Sequence, residues 1–195
     1  MTRERLCAFS DGVIAILITI MVLELKIPDG DDWGDLREMA PIMLAYVLSF
    51  VFVGIFWNNH HHLLQTVDRV TGGILWANLH LLFWLSLVPF VTAWLGQHGS
   101  ASPPATFYGI VVLFAGIAYY TLQRVIVASQ GEGSLLGRAL QRDVKGRISP
   151  VLCLLAIILS FVHAFLAEAI YIFVALMWLV PDRRIERVHT EQNGL

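Results

Sequence analysis

Charge is scarce in this chain. Only 14% of its 195 residues are Asp, Glu, Lys or Arg, against roughly one quarter in soluble domains. With 57% hydrophobic residues, a single water-covered globule is excluded. The net charge of −2 offers no basic surface for a nucleic acid or another polyanion. Cysteine is nearly absent. Cys7 and Cys153 stand far apart, which gives no disulfide framework and no metal-ligand spacing. Each reads as a small core- or lipid-facing residue. No nucleotide-binding glycine loop, Ser-His-Asp set or carboxylate pair occurs, so the chain is not read as an enzyme and no cofactor is expected.

What is present is a series of apolar segments long enough to cross a hydrocarbon core, about 20 residues each. The reading is all-α: one integral membrane domain over residues 1–195, with six spanning helices. Their expected bounds are about 5–27, 40–60, 70–95, 106–127, 148–164 and 167–180. Pro28, Asp29 and Gly30 stop the first. Gly96, Gly99, Ser100, Ser102, Pro103 and Pro104 form the loop after the third. The last apolar block is too long for one helix and divides in two, with His163 and Glu168 expected at the turn. The N-terminus has the basic start and apolar run of a secretory signal. Asp11 at its leading edge, and Glu24, Lys26 and Pro28 in place of a small-residue cleavage pattern, make it a retained first helix.

Charge placement sets the topology. With the N-terminus in the cytoplasm and six spans, the inner segments hold eleven basic residues: Arg3, Arg5, Arg69, Arg124, Arg138, Arg142, Lys145, Arg147, Arg183, Arg184 and Arg187. The outside holds only Lys26 and Arg37. Basic residues concentrate on the cytoplasmic side of membrane proteins, so a multi-pass protein of the cell membrane with both termini inside is favoured. Tyr119, Tyr120, Trp33, Trp94 and Trp178 fit interfacial belts. No repeat relates the two halves. Many transporters are built from such repeats, and their absence favours a site made by oligomerisation.

The first helix holds the most information. Arg5, Phe9, Ser10 and Asp11 lie at its cytoplasmic end. A carboxylate at that depth needs a partner or water, so a hydrogen-bonded tie to the second and third helices is favoured over contact with an ion. Further along, at about 100° per residue, Gly12, Ile16, Thr19, Ile20, Leu23 and Ile27 form one apolar stripe with a single hydroxyl. Glu24 stands at its outer end. The stripe is either a packing face or a pore face, because rings of Ile and Leu gate by dewetting and acidic rings attract cations. Periodicity does not separate the two.

Arg5-x-x-x-Phe9-Ser10-Asp11, followed by Ala15-Ile16, Thr19 and Leu23-Glu24-Leu25, resembles the hallmark of the endosomal and lysosomal potassium channel family, transmembrane protein 175. Phe56-Trp57-x-x-His60-His61, Leu75-Trp76-x-Asn78-Leu79 and Ser86-Leu87-x-Pro89-Phe90 extend the likeness over residues 3–95. The length is that of the family's prokaryotic branch. The resemblance implies a homotetramer of six-helix subunits in the bilayer, with the first helix lining a central pore for monovalent cations. It puts the hydrophobic constriction on Ile16, further rings on Ile20 and Leu23, and the pore hydroxyl on Thr19. It makes Phe9, Ser10 and Asp11 a brace for the first helix, with Arg5, Trp57, His61, Trp76 and Asn78 as partners. The family often has Leu where this chain has Ile20. No T-V-G-Y-G run is present to build a carbonyl filter, so the implied preference for potassium over sodium is modest.

His60-His61-His62 invites a metal reading, but neighbours on a helix point about 100° apart and do not converge on one ion. One histidine is expected in the brace and the others at the interface; His80 is expected in the core. The alternative function is a proton-coupled transporter using Asp11 and these histidines.

Overall fold

The computed structural model describes residues 1–28, 30–98, 101–131, 137 and 144–179. Asp29, Gly99, Ser100, Arg138, Arg142, Val180, Arg183, Arg184 and Arg187 lie outside the described residues. The described chain is all-helical: α1 (Arg3–Leu23), α2 (Trp33–Glu38), α3 (Ala40–Gln65), α4 (Gly72–Ser86), α5 (Val88–Gln97), α6 (Ser102–Gln130), α7 (Val144–Ser160) and α8 (Ala164–Leu179).

Local chemistry sets these bounds. Thr2 caps α1, its hydroxyl accepting the Arg5 backbone N–H. Asp32 and Asp35 form a reciprocal capping box on α2. Thr71 caps α4 by accepting from Ile74. Leu87 and Pro89 separate α4 from α5, because proline lacks the N–H that would continue the ladder. Four segments are long and apolar enough to cross a membrane: α1, α3, α4 with α5 as one unit over Gly72–Gln97, and α6.

α6 is the structural centre and packs against α4, α5, α7 and α8, while α1 lies against α3, α4 and α5. Two glycines permit the closest approaches. A Cβ on Gly96 would fall 2.8 Å from the Ile42 Cα, so α5 meets the start of α3 nearly backbone to backbone. A Cβ on Gly109 would overlap the Tyr171 hydroxyl, which donates to the Ala105 carbonyl at 2.9 Å.

Several elements differ from the sequence expectation. α1 ends at Leu23, not Ile27, with Glu24 as its C-cap. The acidic connector contains the short helix α2. The last two helices begin and end earlier than expected, and the turn between them is Phe161–His163. Glu168 therefore lies inside α8, with its Oε1 buried and without a partner among the described residues. Tyr119 is buried and donates to the Asn59 carbonyl at 3.2 Å, so it belongs to the core and not to a belt. His80 is exposed, not in the core, and its Nε2 accepts from Trp84 Nε1 at 3.0 Å.

Candidate functional site

α1 presents two faces. Leu6, Ser10, Ile14, Leu17 and Met21 are buried, following the three- and four-residue spacing of one helix side. The other side carries the stripe. In the single chain Ile16 is 57% exposed, Ile20 40% and Leu23 78%; Gly12, Thr19 and Glu24 are exposed too. At about 100° per residue the stripe is centred some 120° from the buried face. The stripe residues are thus no part of the subunit's own core. The Thr19 hydroxyl lies 2.9 Å from the Ile16 carbonyl and 3.2 Å from that of Ala15. Its proton is committed to the backbone, which leaves the lone pairs of an exposed oxygen free to accept.

The N-terminal half of α1 is tied down by hydrogen bonds. Asn78 on α4 donates through Nδ2 to Ser10 Oγ at 3.0 Å, and Ser10 donates to the Leu6 carbonyl at 2.9 Å. The Asn78 Oδ1 is 2.7 Å from His60 Nε2 on α3. Because Oδ1 only accepts, His60 carries its proton on Nε2. Its Nδ1 is buried with no partner among the described residues. Ser10, Asn78 and His60 are all buried. Alongside, Trp57 Nε1 donates to Asp11 Oδ1 at 2.9 Å. Arg3 adds a tether, donating to the Gln65 carbonyl at 3.0 Å.

The structure therefore brings together Ser10, Asp11, Trp57 and Asn78. The histidine in the hydrogen-bonded chain is His60, one residue before His61; the His61 ring instead lies against Trp57, with centroids 6.0 Å apart. Trp76 is 76% exposed and outside this network. Arg5 and Phe9 are exposed on the stripe side of α1. No three His, Cys, Asp or Glu side chains among the described residues are placed to hold a metal ion. Arg3 had no motif to announce it, and its contact with the end of α3 emerges only from the packing of the two helices.

Comparison with known proteins follows the same segment. The family described as "Endosomal/lysosomal potassium channel TMEM175" matches residues 5–89. A protein named as a potassium channel from Chryseobacterium sp. (strain P1-3) is 53% identical over 187 residues, spanning 96% of this chain and 97% of that protein. Another potassium channel, from Chamaesiphon minutus, is 32% identical over 88% of this chain and 91% of its own length. The human endosomal/lysosomal proton channel TMEM175 is 36% identical over 83 residues, 36% of this chain and 16% of that protein. The crystal structure of a lysosomal potassium-selective channel TMEM175 homologue from Chamaesiphon minutus superposes with a TM-score of 0.79 at 29% identity, covering 91% of this chain and 96% of that one.

Proposed function

The chain belongs to the TMEM175 family of membrane ion channels, a channel class and not an enzyme class, and we propose that it is a potassium-permeable cation channel assembled from four identical subunits. Each subunit crosses the cell membrane six times, with α4 and α5 forming one span and α7 and α8 the last two. Both termini are cytoplasmic, as the eleven-to-two distribution of basic residues favours.

The observation that carries the reading is the open face of α1. A regular face of Ile16, Ile20 and Leu23 turned away from its own subunit is what four copies around an axis would line. Ile16 forms the tightest hydrophobic ring, Ile20 and Leu23 form further rings, and Glu24 gives an acidic ring at the outer mouth. Thr19 exposes a hydroxyl oxygen on the same side, which suits a partly dehydrated monovalent cation. The permeating ion is potassium, and no cofactor takes part. A filter of side chains without rings of backbone carbonyls gives modest selectivity over sodium.

The test is flux from purified protein in liposomes carrying a potassium gradient. Wild-type protein conducts, and Ile16→Asn, which wets the narrowest ring, raises the rate on the order of tenfold. Absence of flux together with no change in Ile16→Asn overturns the reading, as does a monomeric mass in solution. A second reading, proton-coupled transport, is favoured by the joining of Asp11 and His60 to one brace. It requires saturable pH-driven uptake that Asp11→Asn abolishes in an intact assembly; passive flux surviving Asp11→Asn excludes it.

A further inference from the structure

Between α8 and the first half of α3 runs an open groove of about 820 Å3. That lies within the ~300–1,000 Å3 typical of small-molecule sites. Its lining follows α8 from Phe165 to Leu179, a length of about 21 Å at ~1.5 Å per residue. One leaflet of a bilayer holds about 15 Å of hydrocarbon, half of a ~30 Å core, so the groove takes a whole acyl chain. Leu44, Val47, Ile172 and Leu176 are exposed side chains among its apolar walls.

One end of the groove is polar. α5 ends there at Gln97, with Gly96 against Ile42 at the start of α3. α8 begins there too: Ser160, just before it, lies 2.6 Å from Thr106 near the start of α6, hydroxyl to hydroxyl. Glu38 and Glu168 line this end. Glu168 is the one charged side chain of α8. It is half-buried, and its Oε1 is buried without a partner among the described residues. An unpaired carboxylate among apolar side chains is costly and by default marks a site. No lysine or arginine lines the groove among the described residues. Two acids with no resident cation disfavour a fatty acid or an anionic headgroup and favour a cationic one. An ammonium with N–H groups both neutralises Glu168 and supplies the missing donors.

We propose that this groove holds one membrane phospholipid whose headgroup ends in a primary ammonium, with the ammonium on Glu168 and one acyl chain along α8 toward Leu179. Glu38 adds attraction from the rim, and the Gln97 carboxamide offers a donor for the phosphate.

Purified full-length protein in detergent is offered equal amounts of dioleoyl phosphatidylethanolamine, phosphatidylcholine and phosphatidylglycerol, and bound lipid is counted by native mass spectrometry. Wild-type protein binds the ethanolamine lipid about tenfold more tightly than the choline lipid, whose quaternary nitrogen has no N–H, and than the glycerol lipid, which has no cation. Glu168→Gln keeps the shape, removes the charge and brings that ratio close to one. Leu176→Trp, which fills the groove from an exposed position, weakens all three lipids alike. Glu4→Gln, beside the Arg3 contact with the far end of α3, leaves the ratio unchanged. If Glu168→Gln does not assemble, Glu38→Gln decides: a lowered ratio supports the proposal and an unchanged one overturns it. Equal binding of the three lipids by wild-type protein also overturns it, as does a preference that survives in Glu168→Gln. Lipid excluded from the intact oligomer and taken up only by released subunits would put a second copy of the chain in the groove and overturn it too.

Discussion

The two halves of α1 are held by different physics. Its N-terminal half is fixed by directional bonds: Ser10 to Asn78, Asp11 to Trp57, and Arg3 to the end of α3. Its C-terminal half is held by the apolar burial of Ile14, Leu17 and Met21. Among the described residues, the side-chain polar contact from that half to another helix is a 4.0 Å approach of the Thr92 hydroxyl to the Met21 sulfur. Hydrogen bonds specify register and rotation, whereas apolar contact is largely non-directional. The brace therefore sets which residues form the open stripe, and the C-terminal half keeps more freedom to shift. A freer stripe mounted on a fixed base is the arrangement the proposed gate needs.

The largest effect expected from breaking that base comes at Asn78. Asn78→Ala removes the partner of both Ser10 and the His60 Nε2–H at once. Buried groups left without partners cost about 1–3 kcal/mol each in soluble proteins, and less where helices separate within lipid. A loss of about 2 kcal/mol is expected in reversible unfolding from detergent micelles. A double-mutant cycle with Ser10→Ala sharpens this: the two changes share one bond, so their losses add to less than their sum. Strict additivity would show that Asn78 and Ser10 do not act together.

A smaller effect is expected at the neighbouring contact. Trp57→Phe deletes the indole donor to Asp11 and keeps an aromatic ring beside His61. Asp11 is only half-buried, so water replaces the lost bond in part and the cost is about 1 kcal/mol. Assembly persists, which a mass measurement checks. Dissociation of the oligomer would make this contact part of the assembly and not a tie within one subunit.

This division was partly legible in the residues themselves. Apolar runs ended by Pro28 and by the Gly-Ser-Pro loop near residue 100 marked the long helices, because burial in lipid requires both length and apolarity. The break at Leu87 was not legible, since hydropathy runs through it and only Pro89 marks it. The capping spacing of Asp32 and Asp35 was visible, but a six-residue helix carries too little periodicity to be noticed. In the brace, helical geometry placed His60 and His61 on either side of Trp57, within about 60° of it. The position of Asn78 on a different helix decides between them, and no single-helix pattern contains that. The stripe was fully legible as a pattern, but which way it faced depended on how α1 rolls against α3, α4 and α5.

The smallest effect is the sharpest test of the comparison. Beside the C-terminal half of α1, Ser49 lies 3.1 Å from the Tyr108 hydroxyl and 2.6 Å from that of Thr92, which also lies 2.7 Å from the Val88 carbonyl. This cluster joins α3, α5 and α6 and, among the described residues, reaches α1 only through the Met21 sulfur. Thr92→Val keeps the branched shape and removes the hydroxyl. Ser49 retains Tyr108, so no group is stranded, and the cost is about 0.5 kcal/mol. Potassium flux should match wild type, because nothing that orients α1 has been cut. If Thr92→Val instead destabilises as much as Asn78→Ala, or alters flux, the C-terminal half of α1 is held by bonds as firmly as the N-terminal half, and the contrast between a fixed base and a freer stripe fails.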